Sequence, residues 1–89
     1  MLQVRERRQH QTKVLALIGQ FTRDTTTGIQ ARILGAKEMG CHHIVLDFSK
    51  VTGIDSSSLR ELFLWYHHMK PHHVQISVVK PQPYIRYHS

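Results

Sequence analysis

The chain of 89 residues has one cysteine, Cys41, which excludes an internal disulfide and any thiolate cluster for a metal. No apolar run approaches the roughly 20 residues of a membrane-spanning helix. The basic start, Arg5 to Arg8, is not followed by the apolar segment and small-residue cleavage site of a secretion signal. These absences point to the cytoplasm and argue against membrane insertion. Also missing are a Gly-x-Ser-x-Gly elbow, a glycine-rich phosphate loop and a His-Glu-x-x-His zinc helix. The expectation is a protein that is not an enzyme and needs no cofactor of its own.

Acidic residues are scarce. Six Asp and Glu stand against twelve Lys and Arg, a formal charge of +6 that favours contact with anionic surfaces without naming one. Aromatic residues are few and are not interleaved with basic ones, so the pattern of a single-strand nucleic-acid surface is absent and no nucleic-acid partner is expected. A chain this short makes one domain, spanning residues 1–89, with a limited core.

What is present is an alternation of strand and helix patterns. Leu2, Val4 and the polar positions to Arg8 read as an edge strand, with Arg5 and Arg7 facing water and discouraging aggregation. A turn at His10-Gln11-Thr12 leads into Lys13 to Ile18, which is apolar at nearly every position, as in a strand covered on both faces. Helical spacing follows, with Asp24 or Thr25 as N-cap, Ile29, Ile33 and Ala36 on one face, and Gly40 as the stop. Ile44 to Phe48 is the next strand, parallel to the second because a helix-sized crossover separates them.

A glycine-containing turn then leads to Asp55-Ser56-Ser57-Ser58 and a helix from Ser57 to about Met69. Its predicted buried stripe is Leu59, Leu62, Phe63, Tyr66 and Met69, with Trp65 at the stripe's edge. Leu64 falls opposite, among Arg60, Glu61, His67 and His68, where an exposed leucine suits a partner contact. Pro71 stops the helix, and Val74 to Val79 forms a fourth strand.

The hydroxyls of this stretch sit at a helix N-terminus, whose unpaired N–H groups and positive dipole end favour an anionic group. Capping alone also accounts for Asp and Ser there. Asp47 and Asp55 are turn and cap residues rather than an acid–base pair. The pairs His42-His43, His67-His68 and His72-His73 invite a metal, but adjacent residues point apart and no acidic side chain or cysteine sits among them. They read as a solvated basic rim, with no metal site.

Ile44-Val45-Leu46-Asp47-Phe48-Ser49, a spacer, then Ile54-Asp55-Ser56-Ser57-Ser58-Leu59 resembles the signature of STAS domains, the family of bacterial anti-sigma-factor antagonists. Gly19, closing the second strand, resembles a family glycine, and the resemblance runs from about Leu2 to Tyr87. It implies an α/β fold with a mixed sheet of about four strands and helices packed mainly on one face. It also implies that Ser56 is the serine phosphorylated by a partner kinase. By the same resemblance the chain binds an anti-sigma-factor serine kinase and so regulates transcription, with Asp55, Ser57, Ser58, Arg60 and Leu64 on the contact surface around Ser56. The alternative is a non-phosphorylated accessory subunit of a lipid-transport or scaffold assembly.

Two departures stand out: Ser58 occupies a usual glycine position, and Thr22, with Asp24 two residues on, replaces an acidic residue. Pro81-Gln82-Pro83 resembles the start of the family's third helix, and the helix, strand and last helix that complete the family fold are short or missing. Either the sequence is a truncated product, or the uncovered sheet edge and apolar face are expected to be closed by another subunit, as in a homodimer.

Overall fold

A computed structural model of the chain describes residues 1–79. The tail from Pro81, with its expected helix start, lies outside the described residues. Strands β1 (Leu2–Gln9), β2 (Thr12–Phe21), β3 (His43–Ile54) and β4 (Gln75–Val79) form one sheet in sequence order. β1 pairs antiparallel with β2, and both β2–β3 and β3–β4 are parallel. Helices α1 (Thr26–Glu38) and α2 (Ser56–Met69) are the two parallel crossovers. The mixed four-stranded α/β sheet is therefore as the sequence predicted.

The hairpin between β1 and β2 turns through His10-Gln11, with His10 in the left-handed region (φ 56°). At the other end of β2, Gly19 has φ 116°, and a Cβ there would lie 2.5 Å from the Met1 carbonyl oxygen. That oxygen accepts a bond from the Gln20 amide at 3.2 Å, so any side chain at position 19 would push the start of the chain off β2. Glu6 fixes the same hairpin to α1 by pairing with Lys13 at 3.1 Å and with Arg32. The Lys13 bond is the main cause that holds the Glu6 carboxyl below its ordinary value.

Both crossover helices bury their inner sides against one face of the sheet. The core joins Leu15, Leu17 and Phe21 of β2 and Ile44, Leu46, Phe48 and Val51 of β3 to Ile29 and Ile33 of α1 and Trp65 of α2. Phe21 stacks edge-on against Phe48 and tilts against Trp65, at centroid distances of 5.2 and 6.0 Å. The Trp65 indole N–H is buried and has no acceptor among the described residues.

Three expectations are corrected. First, β2 is not covered on both faces: Leu15 and Leu17 are buried while Val14, Ala16 and Ile18 on the other face are half-buried. Second, β3 does not end at Phe48. It runs on to Ile54, because register shifts opposite Leu17 and after Gly19 absorb extra residues and keep Val51 pointing inward. Third, α2 is rotated from its predicted phase. Its inward stripe is Ser58, Leu62, Trp65 and Met69, whereas Leu59, Phe63 and Tyr66 are 41%, 64% and 42% exposed. Residues 62–66 are all apolar, so spacing alone admits several phases, and the indole of Trp65 against Phe21 selects one.

Candidate functional site

The site is built where β3 hands over to α2, beside the loop that leaves β2. Asp55 is the N-cap of α2 in an extended conformation, and its Oδ1 accepts from the Ser58 amide at 2.8 Å. Its Oδ2 reaches across to accept from the Arg23 amide at 3.0 Å. These bonds, first the Arg23 amide and then the Ser58 amide, hold the Asp55 carboxyl below its ordinary value of 3.8. Both oxygens are thus committed within the chain, and one carboxylate fixes the start of α2 and the β2–α1 loop together.

Ser58 completes this tie. Its hydroxyl lies 2.7 Å from the Phe21 carbonyl oxygen and 2.9 Å from that of Asp55, so its single proton is shared between two acceptors. Ser58 is fully buried. The expectation that it touches a partner is therefore corrected: it joins α2 to the end of β2 in the core and offers no surface.

Ser56 and Ser57 are exposed in the first turn of α2, and helix geometry leaves their amides without an intrahelical acceptor. From there α2 presents two different outward rows. Ser57, Arg60, Glu61 and Leu64 face α1 and, with Arg23, Thr26 and Thr27, line an open cleft of about 420 Å³. Leu64, 38% exposed, is on the surface as the sequence predicted. Ser56 heads the other row, followed at helical spacing by Leu59, Phe63 and Tyr66. Sequence reasoning missed these three because it assigned them to the core.

Neither Arg23 nor Arg60 has a carboxylate within ion-pair distance among the described residues. The first turn of α2 thus combines outward amides and the positive end of the helix dipole with Arg23 and Arg60 in the adjoining cleft, which Glu61 also lines, beside the Asp55 carboxylate. Arg60, one turn after Ser56, stands at the i,i+4 spacing at which an acidic group and a following base attract best.

At the far end of α2, His42, Tyr66, Lys70 and His73 edge a second cleft of about 400 Å³. Among the described residues no three His, Cys, Asp or Glu side chains gather as metal ligands. No helix among the described residues is long and apolar enough to cross a membrane.

A mixed sheet with two crossover helices on one face, and a serine exposed at the capped start of the second, defines a small α/β domain. The family profile described as "Mlab, STAS domain" matches residues 4–87, and the chain belongs to the STAS-domain family. No curated protein matches it.

Among solved structures, the anti-sigma factor antagonist SpoIIAA in its unphosphorylated form superposes with a TM-score of 0.75 at 19% identity, covering 98% of this chain and 79% of that one. The phosphorylated form of the Bacillus cell fate determinant SpoIIAA gives 0.74 at 19% identity, covering 98% and 78%. Part of the protein Mglu gives 0.75 at 18% identity, covering 88% of this chain, which spans only 19% of Mglu. These likenesses show a shared fold.

Proposed function

We propose that this chain is a cytoplasmic protein-binding switch of the anti-sigma-factor antagonist kind. Unmodified, it docks the outer face of α2 on an anti-sigma-factor serine kinase, and phosphorylation of Ser56 releases it. One observation carries this reading: the exposed serine and the exposed apolar row Leu59, Phe63 and Tyr66 lie on the same face of one helix, so modification of the first changes access to the second. SpoIIAA, whose fold this chain shares, is known in an unphosphorylated and a phosphorylated form.

The physical basis of the switch is a change of charge at the head of an apolar surface. A phosphate adds roughly −1.5 to −2 charges and three strongly hydrated oxygens. Within the chain it is stabilised by the amides of the first turn and by Arg60. In a docked complex those oxygens lose water beside Leu59, and burying a charge without full pairing is strongly unfavourable. Docking is therefore opposed while the modified chain itself stays folded. The chain supplies the hydroxyl and the surface and performs no catalysis; the kinase brings nucleotide and magnesium.

The test is to incubate the protein with its cognate kinase, map the phosphopeptide and compare the affinities of variants. Phosphate is expected on Ser56, with Ser56→Asp weakening binding and Ser56→Ala preserving it. Phosphate found only on Ser49, Ser57 or Ser58 overturns the assignment. A second reading, implied by the family resemblance, is a non-phosphorylated accessory subunit of a lipid-transport or scaffold assembly in which Ser56 only opens a helix. Equal partner affinity for Ser56→Asp and Ser56→Ala selects that reading.

A further inference from the structure

Neither helix covers the second face of the sheet, and the strand register places a distinctive pattern there. Ala16 of β2 lies in one cross-sheet row between Arg5 of β1 and Asp47 of β3. The next row holds Arg7, Val14 and Val45, and the row on the other side holds Gln3, Ile18 and Lys50. Half-buried Val14, Ala16 and Ile18 thus form an apolar spine along β2. Arg5 and Asp47 flank it, each one strand away, about 4.8 Å to either side of Ala16. Both edge the hollow above Ala16, yet they make no ion pair with each other, and Arg5 pairs with no carboxylate among the described residues.

We propose that this face is the contact between two copies of the chain, related by a two-fold axis that runs along β2 midway between the facing sheets. Such an axis keeps height along the strand and exchanges left for right. It sets β2 against β2 and β1 against the β3 of the other copy. Arg5 then faces Asp47 of the second copy, and Asp47 faces its Arg5, so the two opposite charges that are separated within one chain are paired twice between chains. Sheets packed face to face stand about 10 Å apart, a gap that an extended Arg and an Asp span together.

The remaining rows are compatible with this arrangement. Arg7 falls opposite Val45, Lys50 opposite Gln3, and the spine packs on itself, so no two like charges oppose each other directly. The other in-plane two-fold axis, across the strands at Ala16, sets β1 against β1 and β3 against β3 and so opposes Arg5 to Arg5 and Asp47 to Asp47, which is unfavourable. An acidic partner protein would satisfy the arginines but would set its carboxylates against Asp47. Self-complementarity is therefore what distinguishes this face.

The contact is three strands wide and about eight residues long, roughly 14 by 25 Å or about 350 Å² on each chain, below the area of a stable specific interface and in the range of weak, transient contacts. Each chain also carries +6, which opposes association until salt screens it. Weak self-association is expected, with a dissociation constant on the order of 100 µM.

Sedimentation equilibrium of the full chain, from about 10 µM to about 1 mM, tests the proposal. The wild type is expected to shift from monomer to dimer over that range. Arg5→Glu and Asp47→Lys should each weaken association by about tenfold or more, and the double charge swap should restore it to within about threefold. Asp47 also accepts from the Ser49 amide at 2.9 Å, so Asp47→Lys can disturb folding for a local reason. Ala16→Glu, which places like charges on the axis, decides the matter in that event: it should leave the far-ultraviolet circular dichroism unchanged and abolish the dimer. A wild type that stays monomeric at 1 mM, a folded double swap that fails to restore association, or an Ala16→Glu chain that dimerises like wild type overturns the proposal. A monomer that binds poly-glutamate through Arg5 overturns it as well and assigns the face to an acidic partner.

Discussion

The two crossover helices make the same topological move, on the same face of the same sheet, and differ in what they leave outside. α1 buries Ile29, Ile33 and Ala36 and shows solvent a polar surface on which Leu34 is the one large exposed apolar side chain within the helix. α2 buries Ser58, Leu62, Trp65 and Met69, and exposes Leu59, Phe63, Leu64 and Tyr66. A crossover helix needs an apolar stripe on its inner side only. The extra apolar side chains of α2 contribute little to this fold as it stands, and their placement behind an exposed serine is what the proposed docking surface rests on.

The contrast depends on the phase of α2, and the largest expected effect tests that phase. Trp65→Ala empties a core position in contact with Phe21 and should lower the unfolding free energy by about 3–5 kcal/mol, measured by urea denaturation. A loss as small as that of a surface substitution would mean that α2 is turned the other way.

Next in size is Ser58→Ala, which strips a buried bond from the Phe21 carbonyl and should cost about 1–3 kcal/mol. The same substitution should raise amide exchange at the start of α2 more than in α1, because α1 has no equivalent buried tie to β2.

Acid should separate the helices further. The Asp55 carboxyl is held below 3.8 by the amides of Arg23 and Ser58, so its contribution is fully present above that value and is lost as pH falls through the lower folded-state value. Asp55→Asn keeps an N-cap acceptor and removes the charge. The stability difference between wild type and Asp55→Asn should be constant above about pH 5 and shrink below it, followed by denaturation across pH 2–6.

The smallest change in stability carries the sharpest functional contrast. Phe63→Ala on α2 and Leu34→Gln on α1 should each alter the unfolding free energy by no more than about 0.5 kcal/mol. Phe63→Ala should nevertheless weaken binding of the proposed kinase partner by about tenfold, while Leu34→Gln leaves it unchanged. Equal effects of the two on binding would remove the distinction between the helices.

Much of this was readable in the chain. The order of elements follows from punctuation that acts locally: Gly40 ends α1, Asp55 caps α2, Pro71 stops it, and the separation of β2 from β3 demands a parallel crossover. Ser56 was legible for the same reason, since a cap and the residue after it are fixed by neighbours in sequence. Leu64 was placed on the surface correctly, although the stripe opposite it was not the buried one.

Local pattern alone could not set the rotation of α2, the continuation of β3 past its bulges or the exposure of one face of β2. Each depends on partners distant in sequence: Phe21 receives both Trp65 and the Ser58 hydroxyl, and Gly19 and Leu17 mark where β3 takes up its extra residues. The sequence by itself determined which segments are strands and helices and where the capped serine lies, because those follow from interactions within a few residues. Only the tertiary structure decided which side of α2 meets the core and that one face of β2 stays open, because an apolar residue is buried or left exposed by what lies across from it in space.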